Sequence, residues 1–199
     1  MFPRLFFLIL FTLAPLGASA QVNISEIMYD LSGSDAGREW IEIHNNGGSS
    51  IDLSGWKFFE GGTNHGLTIV SGDGTVPAGG YVVIADDTGK FLLDWPGFSG
   101  TLFDSSFSLS NTTETISVRD AELVDQDSVT YTSEWGGVGD GNSLQKSGSA
   151  WLSAVPTPGS ANATSGSTPP PPPPPSGTSG TTQLPPPPSS AEVSSITPQ

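Results

Sequence analysis

Between positions 21 and 163, apolar residues alternate with polar ones at a period of two far more often than 3.6. That is the spacing of a strand with one buried face, not of a helix. It predicts strands in "VNISEIMY" (22–29), "EWIEIH" (39–44), "IDLSGWKFF" (51–59), "GLTIV" (66–70), "GYVVIA" (80–85), "SFSLS" (106–110), "TISVRD" (115–120), "DSVTY" (127–131) and "NSLQK" (142–146). Gly, Asn, Asp and Ser recur between these runs, as tight turns require. No stretch carries a helical stripe of useful length. The pattern is all-β with short connections, hence a sandwich and not a parallel α/β sheet.

The segment "REWIEIHNNGGSSIDLSGWKF" (38–58) tests how far such a pattern reaches into chemistry. Ile41 and Ile43 share one face of a strand, and Trp40, Glu42 and His44 share the other. "NNGG" supplies residues that accept a positive φ, so the segment reads as a hairpin with one face half-exposed. Glu42 and His44 stand close enough on one face to begin a metal site, but zinc requires three or four ligands. Trp40, Trp56 after the Ser54–Gly55 step, the Gly79–Gly80 turn before "YVVIA", and Pro156 and Pro158 read as determinants of the fold. The two prolines stop further strand pairing and end the domain.

Composition divides the chain. Arg4, the apolar run "LFFLILFTL" and "APLGASA" form a signal peptide at 1–20 with cleavage after Ala20. The run is too short to span a bilayer, so the mature chain has no transmembrane helix and is expected to be secreted or held at the cell surface. There is no cysteine, which excludes disulfides and thiolate metal sites. After cleavage five basic residues face twenty acidic ones, a net charge of −15. Such a surface repels phosphate backbones, and nucleic acid is excluded as a partner. One folded domain occupies 21–163. Residues 164–199, with two proline runs and a single charge at Glu192, read as a disordered spacer of polyproline rods and Gly/Ser/Thr hinges.

Several of these runs resemble a known family. "ISEIMYD" (24–30), "REWIEIHN" (38–45), "IDLSGWKF" (51–58), "VPAGGYVVIAD" (76–86), "LSNTTETISVRD" (109–120), "DSVTY" (127–131), "GDGNSLQK" (139–146) and "PTPGSAN" (156–162) are similar, in this order, to the lamin tail domain in its bacterial, secreted form. The resemblance implies an immunoglobulin-like β-sandwich. It further implies a non-catalytic interaction or tethering module of the kind found beside secreted hydrolases or membrane anchors, with no catalytic residue set to carry over. Two departures stand out: Leu31 where the family pattern has proline, and "AELVDQ" (121–126) where it has a glycine-bearing hairpin. The chain carries no heptads, so filament assembly of the lamin kind is excluded.

Candidate chemistry is sparse. Only His44 and His65 could act as imidazole bases, and no nucleophile elbow, zinc-protease or phosphate-loop motif occurs. No cofactor is expected. Calcium is the one cation the composition suits, through the acidic loops holding Asp30, Asp35 and Glu39, then Asp86, Asp87, Asp94 and Asp104, then Asp140 and Asn142. Trp95 and Phe98 in "DWPGF" and Trp135 in "SEWGGVGDG" are aromatic residues on loops, the type that anchors a protein or carbohydrate surface, or else folds back as caps. The expected function is a tethering module on a proline-rich spacer. The alternatives are an accessory domain of a larger secreted or surface-anchored enzyme continuing beyond Gln199, or an autonomous hydrolase.

Overall fold

A computed structural model of the chain describes residues 21–162. The expectations for a signal peptide and a proline-rich tail fall outside these residues. The strands are β1 (Val22–Met28), β2 (Trp40–Asn45), β3 (Ile51–Asp52), β4 (Lys57–Glu60), β5 (Thr63–Gly66), β6 (Thr68–Ser71), β7 (Thr75–Val76), β8 (Tyr81–Ala85), β9 (Thr101–Asp104), β10 (Thr113–Arg119), β11 (Asp125–Thr132), β12 (Ser143–Ser147) and β13 (Ala150–Ala154). A helix, α1 (Thr88–Asp94), lies between β8 and β9, and a 3-10 turn spans Ser133–Trp135.

Two sheets face each other. The larger has seven strands in the order β13-β12-β1-β2-β8-β9-β6, and the smaller has four, β11-β10-β4-β5; β3 and β7 form a two-stranded ribbon. Between the sheets, Ile24, Ile27, Ile41, Ile43, Val82 and Ile84 meet Phe58, Ile116, Val118 and Tyr131 in one closed core. Tyr29 packs on Tyr131 with ring centroids 5.0 Å apart, bridging the layers. This is the immunoglobulin-like sandwich expected from the alternation.

The large sheet is also covered on its outer face. Its one parallel pair, β8 with β9, needs a crossover, and the crossover carries α1. α1 begins at Asp87, whose carboxylate accepts the backbone N–H of Gly89 and Lys90 at 2.9 and 3.1 Å. Phe91 then drops onto Trp40, and Met28, Leu31, Val83, Ala85 and Leu102 complete a second apolar cluster. Leu31 is buried there, so the residue that departs from the family pattern has a packing role.

Several expectations are corrected. The segment 38–58 is not a hairpin: β2 pairs with β1 and β8, while β3 pairs with β7. Asn45 instead sends the chain out of the sheet, its Nδ2 donating to Ser49 O at 2.8 Å and Val76 O at 2.9 Å. The face bearing Trp40 and Glu42 is not half-exposed; both residues are completely buried. The run "IDLSGWKFF" breaks into β3 and β4 at a turn where Gly55 has φ 79°. Trp56 packs against the core from its edge and is only partly buried. At the other glycine turn Gly79 has φ 70° and donates its N–H to Asn45 O at 2.8 Å, locking the start of β8 to the end of β2. The stretch 106–110 is no strand, and β5, β7, β9, β13 and α1 are elements the alternation does not predict. The "AELVDQ" hairpin is organised by Asp120, whose carboxylate accepts Glu122 N at 3.0 Å, Val124 N at 2.9 Å and Gln126 Nε2 at 2.7 Å. Leu123 sits there at φ 64°, in the left-handed region that glycine would occupy without cost.

Candidate functional site

The outer face of the large sheet holds the densest polar arrangement among the described residues. Its origin is a bulge in β1: the register with β2 shifts between Ile24 and Glu26, so Ser25 is the extra residue. Ser25 and Glu26 thereby face outward together, and Glu26 stands directly opposite Glu42. Two like charges at opposed positions on a sheet repel, so the pair requires either donors or protons.

Donors come from the segment after β13. Val155 to Asn162 crosses the outer face as a strap, and Thr157 gives Glu26 its backbone N–H at 3.0 Å and its hydroxyl at 3.0 Å. Gly159 N–H reaches Glu42 Oε2 at 2.7 Å. From the sheet itself, Gln145 Nε2 donates to Glu26 at 3.1 Å and the Ser143 hydroxyl to the same carboxyl, while Ser25 Oγ lies 2.7 Å from Glu42 Oε1. Gln145 also donates to Val155 O at 2.7 Å, and Asn162 Nδ2 donates to Ser25 O and Lys146 O, both at 2.8 Å. Pro156 and Pro158 therefore do not end the domain. They keep the strap from pairing as a strand while its remaining groups clasp the sheet.

Among the described residues no lysine or arginine contacts either carboxyl, so burial dominates their chemistry. Burial pushes Glu26 above the usual carboxylate range, against the hydrogen bonds that favour its charge. Burial raises Glu42 to about 8, opposed by the Ser25 hydroxyl and reinforced by the charge of Glu26. Both groups are fully shielded and cannot meet a substrate in this arrangement.

Two shallow grooves flank the strap. One, of about 320 Å³, lies between α1's exit loop and the strap and is lined by Asp94, Trp95, Pro96, Phe98, Thr157 and Pro158 among others. Trp95 stands edge-on to Trp40 at 6.1 Å, Phe98 stands edge-on to Phe91 at 5.1 Å, and both rings remain partly exposed in the groove. The other, of about 340 Å³, is bounded by Asn23, His44, Asn46, Tyr81 and Asn162. His44 stacks on Tyr81 at 4.4 Å, and burial lowers its pKa. His44 thus packs beside Tyr81, while Glu42 on the same face lies completely buried. Trp135 lies elsewhere, half-buried and stacked on Trp151 at 6.2 Å.

The acidic candidates are mostly engaged within the fold. Asp94 grips Arg38 through two bonds of 2.8 and 3.1 Å, Asp87 caps α1, Asp86 accepts Phe107 N at 3.0 Å, and Asp104 accepts the Thr88 hydroxyl at 3.1 Å. Glu39 is buried, raised to about 8 by that burial, and accepts Leu109 N at 3.0 Å. Asp35 accepts Asn111 Nδ2 at 2.7 Å and Asp140 turns back on Asn142. Asp30 is raised by desolvation and by the nearby Asp35 and Asp140. Among the described residues no three His, Cys, Asp or Glu side chains converge as a metal site would require.

The residues that the sequence reading did not single out are Glu26, Ser143, Gln145 and Thr157. A partial signal was present: "ISEIM" and "EWIEI" each set a glutamate within a largely apolar run, as in a strand covered on both faces.

A two-layer immunoglobulin-like sandwich with an engaged polar clasp and two open grooves defines an interaction module. The sequence model of the family described as Lamin Tail Domain matches residues 16–133, more than half of the chain, and the protein belongs to the lamin tail domain family. The match stops before β12, β13 and the strap, so the clasp joins Glu26 and Glu42 inside it to residues beyond it. No curated protein and no solved structure matches the chain. No helix among the described residues is long and apolar enough to cross a membrane.

Proposed function

We propose that the protein is exported, is cleaved after Ala20, and acts as a non-catalytic tethering module whose partner surface docks in the groove at Trp95 and Phe98. Residues 164–199 serve as the spacer. The observation that carries this reading is the pair of half-exposed aromatic rings beside the strap, whose next residues lead into the proline-rich segment. Rings presented in an open groove engage sugar rings or apolar side chains at little entropic cost. The carboxyls best suited to general acid and base work, Glu26 and Glu42, are sealed beneath the strap, which argues against hydrolysis.

Retention of the full mature chain on insoluble cellulose, chitin and bacterial cell-wall sacculi tests the docking. Wild type should be retained on at least one, and Trp95→Ala and Phe98→Ala, with unchanged circular dichroism, should elute early. Failure of wild type on all three, or equal retention by both variants, overturns the groove. Intact mass from the native source tests export: a chain beginning at Gln21 supports it, and one retaining Met1 refutes it.

A further inference from the structure

The strap is held to the sheet in part by hydrogen bonds that end on two opposed carboxyl groups. Thr157 and Gly159 donate to these carboxyls, while Val155 O accepts from Gln145 and Asn162 donates to Ser25 O and Lys146 O; no residue between 155 and 162 has a titratable side chain. We infer that residues 155–162 form a proton-dependent latch, which seats while the Glu26–Glu42 pair carries a proton and lifts when the pair loses it.

The geometry has a place for that proton. Ser25 Oγ lies 2.7 Å from Glu42 Oε1 and 3.3 Å from the Glu42 carbonyl oxygen. With Glu42 protonated, its carboxyl donates to Ser25 Oγ while the serine hydroxyl turns to the carbonyl, and Oε2 still accepts Gly159 N–H. No bond of the clasp is lost. With both glutamates ionised, two charges face each other across one strand spacing with only neutral donors around them.

The surroundings supply no cation to offset the second charge. On β2, His44 shares the face of Glu42, and burial lowers its pKa and so disfavours its charged form. On β8, Tyr81 is raised by burial and by Glu42 itself. From β12 the facing side chains are Ser143 and Gln145; Lys146 instead lies 3.4 Å from Asp127. At the end of α1, Asp94 is paired with Arg38. Lifting the strap would rehydrate both carboxyls, and this is the relief that ionisation drives.

The latch rests on this geometry alone; its effect on binding rests on the groove reading above, because Thr157, Pro158 and Ser160 form one wall of that groove. An open strap exposes a carboxyl of ordinary affinity, so closure takes up a proton and weakens by up to about tenfold per pH unit until the buried group has titrated.

Amide hydrogen exchange of the full mature chain, expressed as protection factors at pH 6 and pH 9, separates the outcomes. Amides of Thr157 and Gly159 should lose at least about tenfold protection at pH 9 while those of β2 and β8 keep theirs. Glu42→Gln, which mimics the protonated group, should hold its pH 6 protection at pH 9. Should that variant fold poorly, Glu26→Gln takes its place with the same expectation. Equal strap protection at the two pH values, or an equal loss in wild type and the Gln variants, overturns the latch. Cell-wall or polysaccharide retention measured in parallel addresses the groove separately: a strap that opens with pH on a chain that binds nothing refutes the docking reading and leaves the latch standing.

Discussion

Glu26 collects donors from two separate parts of the chain, β12 and the strap, and its removal exposes what each of them needs. Glu26→Ala leaves the Ser143 hydroxyl and the Thr157 N–H without this acceptor in a buried setting. The expected loss is about 2–4 kcal/mol, read as a lower midpoint in urea with an unchanged slope. Gly159 is a sharper probe of the strap alone. It sits at φ 81°, and a Cβ there would stand 3.0 Å from the ring of Phe98. Gly159→Ala should cost about 1–2 kcal/mol of strap closure, seen as faster amide exchange at 157–162 with the sheet unaffected. Substitution at Trp40 acts in the opposite way. Its ring is fully buried between β2 and α1, 5.9 Å from Phe91, so Trp40→Ala should destabilise the whole domain by about 3–5 kcal/mol.

Among the elements, α1 has a single strong start signal and little intrinsic strength. It is seven residues long, with Leu93 81% exposed and Phe91 as its one large buried side chain. Asp87→Ala should therefore cost about 1 kcal/mol, a fall of a few degrees in Tm on calorimetry. The same brevity explains why α1 was not legible in the sequence: a helix of two turns has no room for a stripe. Strands β1, β2, β8, β10 and β12 were legible because each buries alternate side chains in the core between the sheets. The stretch "SFSLS" alternates as cleanly, yet Phe107 and Leu109 direct their backbone N–H groups to Asp86 and Glu39. Side chains thus take the place of a neighbouring strand, and no local pattern distinguishes the two. Of the site, Trp95 and Phe98 could be found as loop aromatics. The clasp could not, because a bulge, a cross-strand pair and a strap more than a hundred residues later come together only in the folded chain.

Across the molecule, buried carboxyls set the response to pH. Glu26, Glu39 and Glu42 are all raised by burial, the last two to about 8, and Glu60 is raised as well. Each binds its proton more tightly in the folded state, so this contribution to stability is complete below about pH 4.5 and is lost as pH rises through the folded value. Thermal midpoints should fall by at least about 5 °C between pH 5 and pH 9, and Glu39→Gln with Glu42→Gln should flatten that profile. A midpoint constant across the range would contradict the assignment. A different consequence follows from where the described fold starts and finishes. Gln21 O accepts Asn46 N–H at 2.8 Å, and Asn162 bonds to Ser25 O only a few residues along β1. The domain's two ends therefore emerge close together, so in a polypeptide that carried chain on both sides of it the domain would be a detour adding almost nothing to the reach. It could be spliced into a surface loop of a host protein, and tension along the polypeptide would load the join between the first strand and the strap while the rest of the sandwich stayed slack.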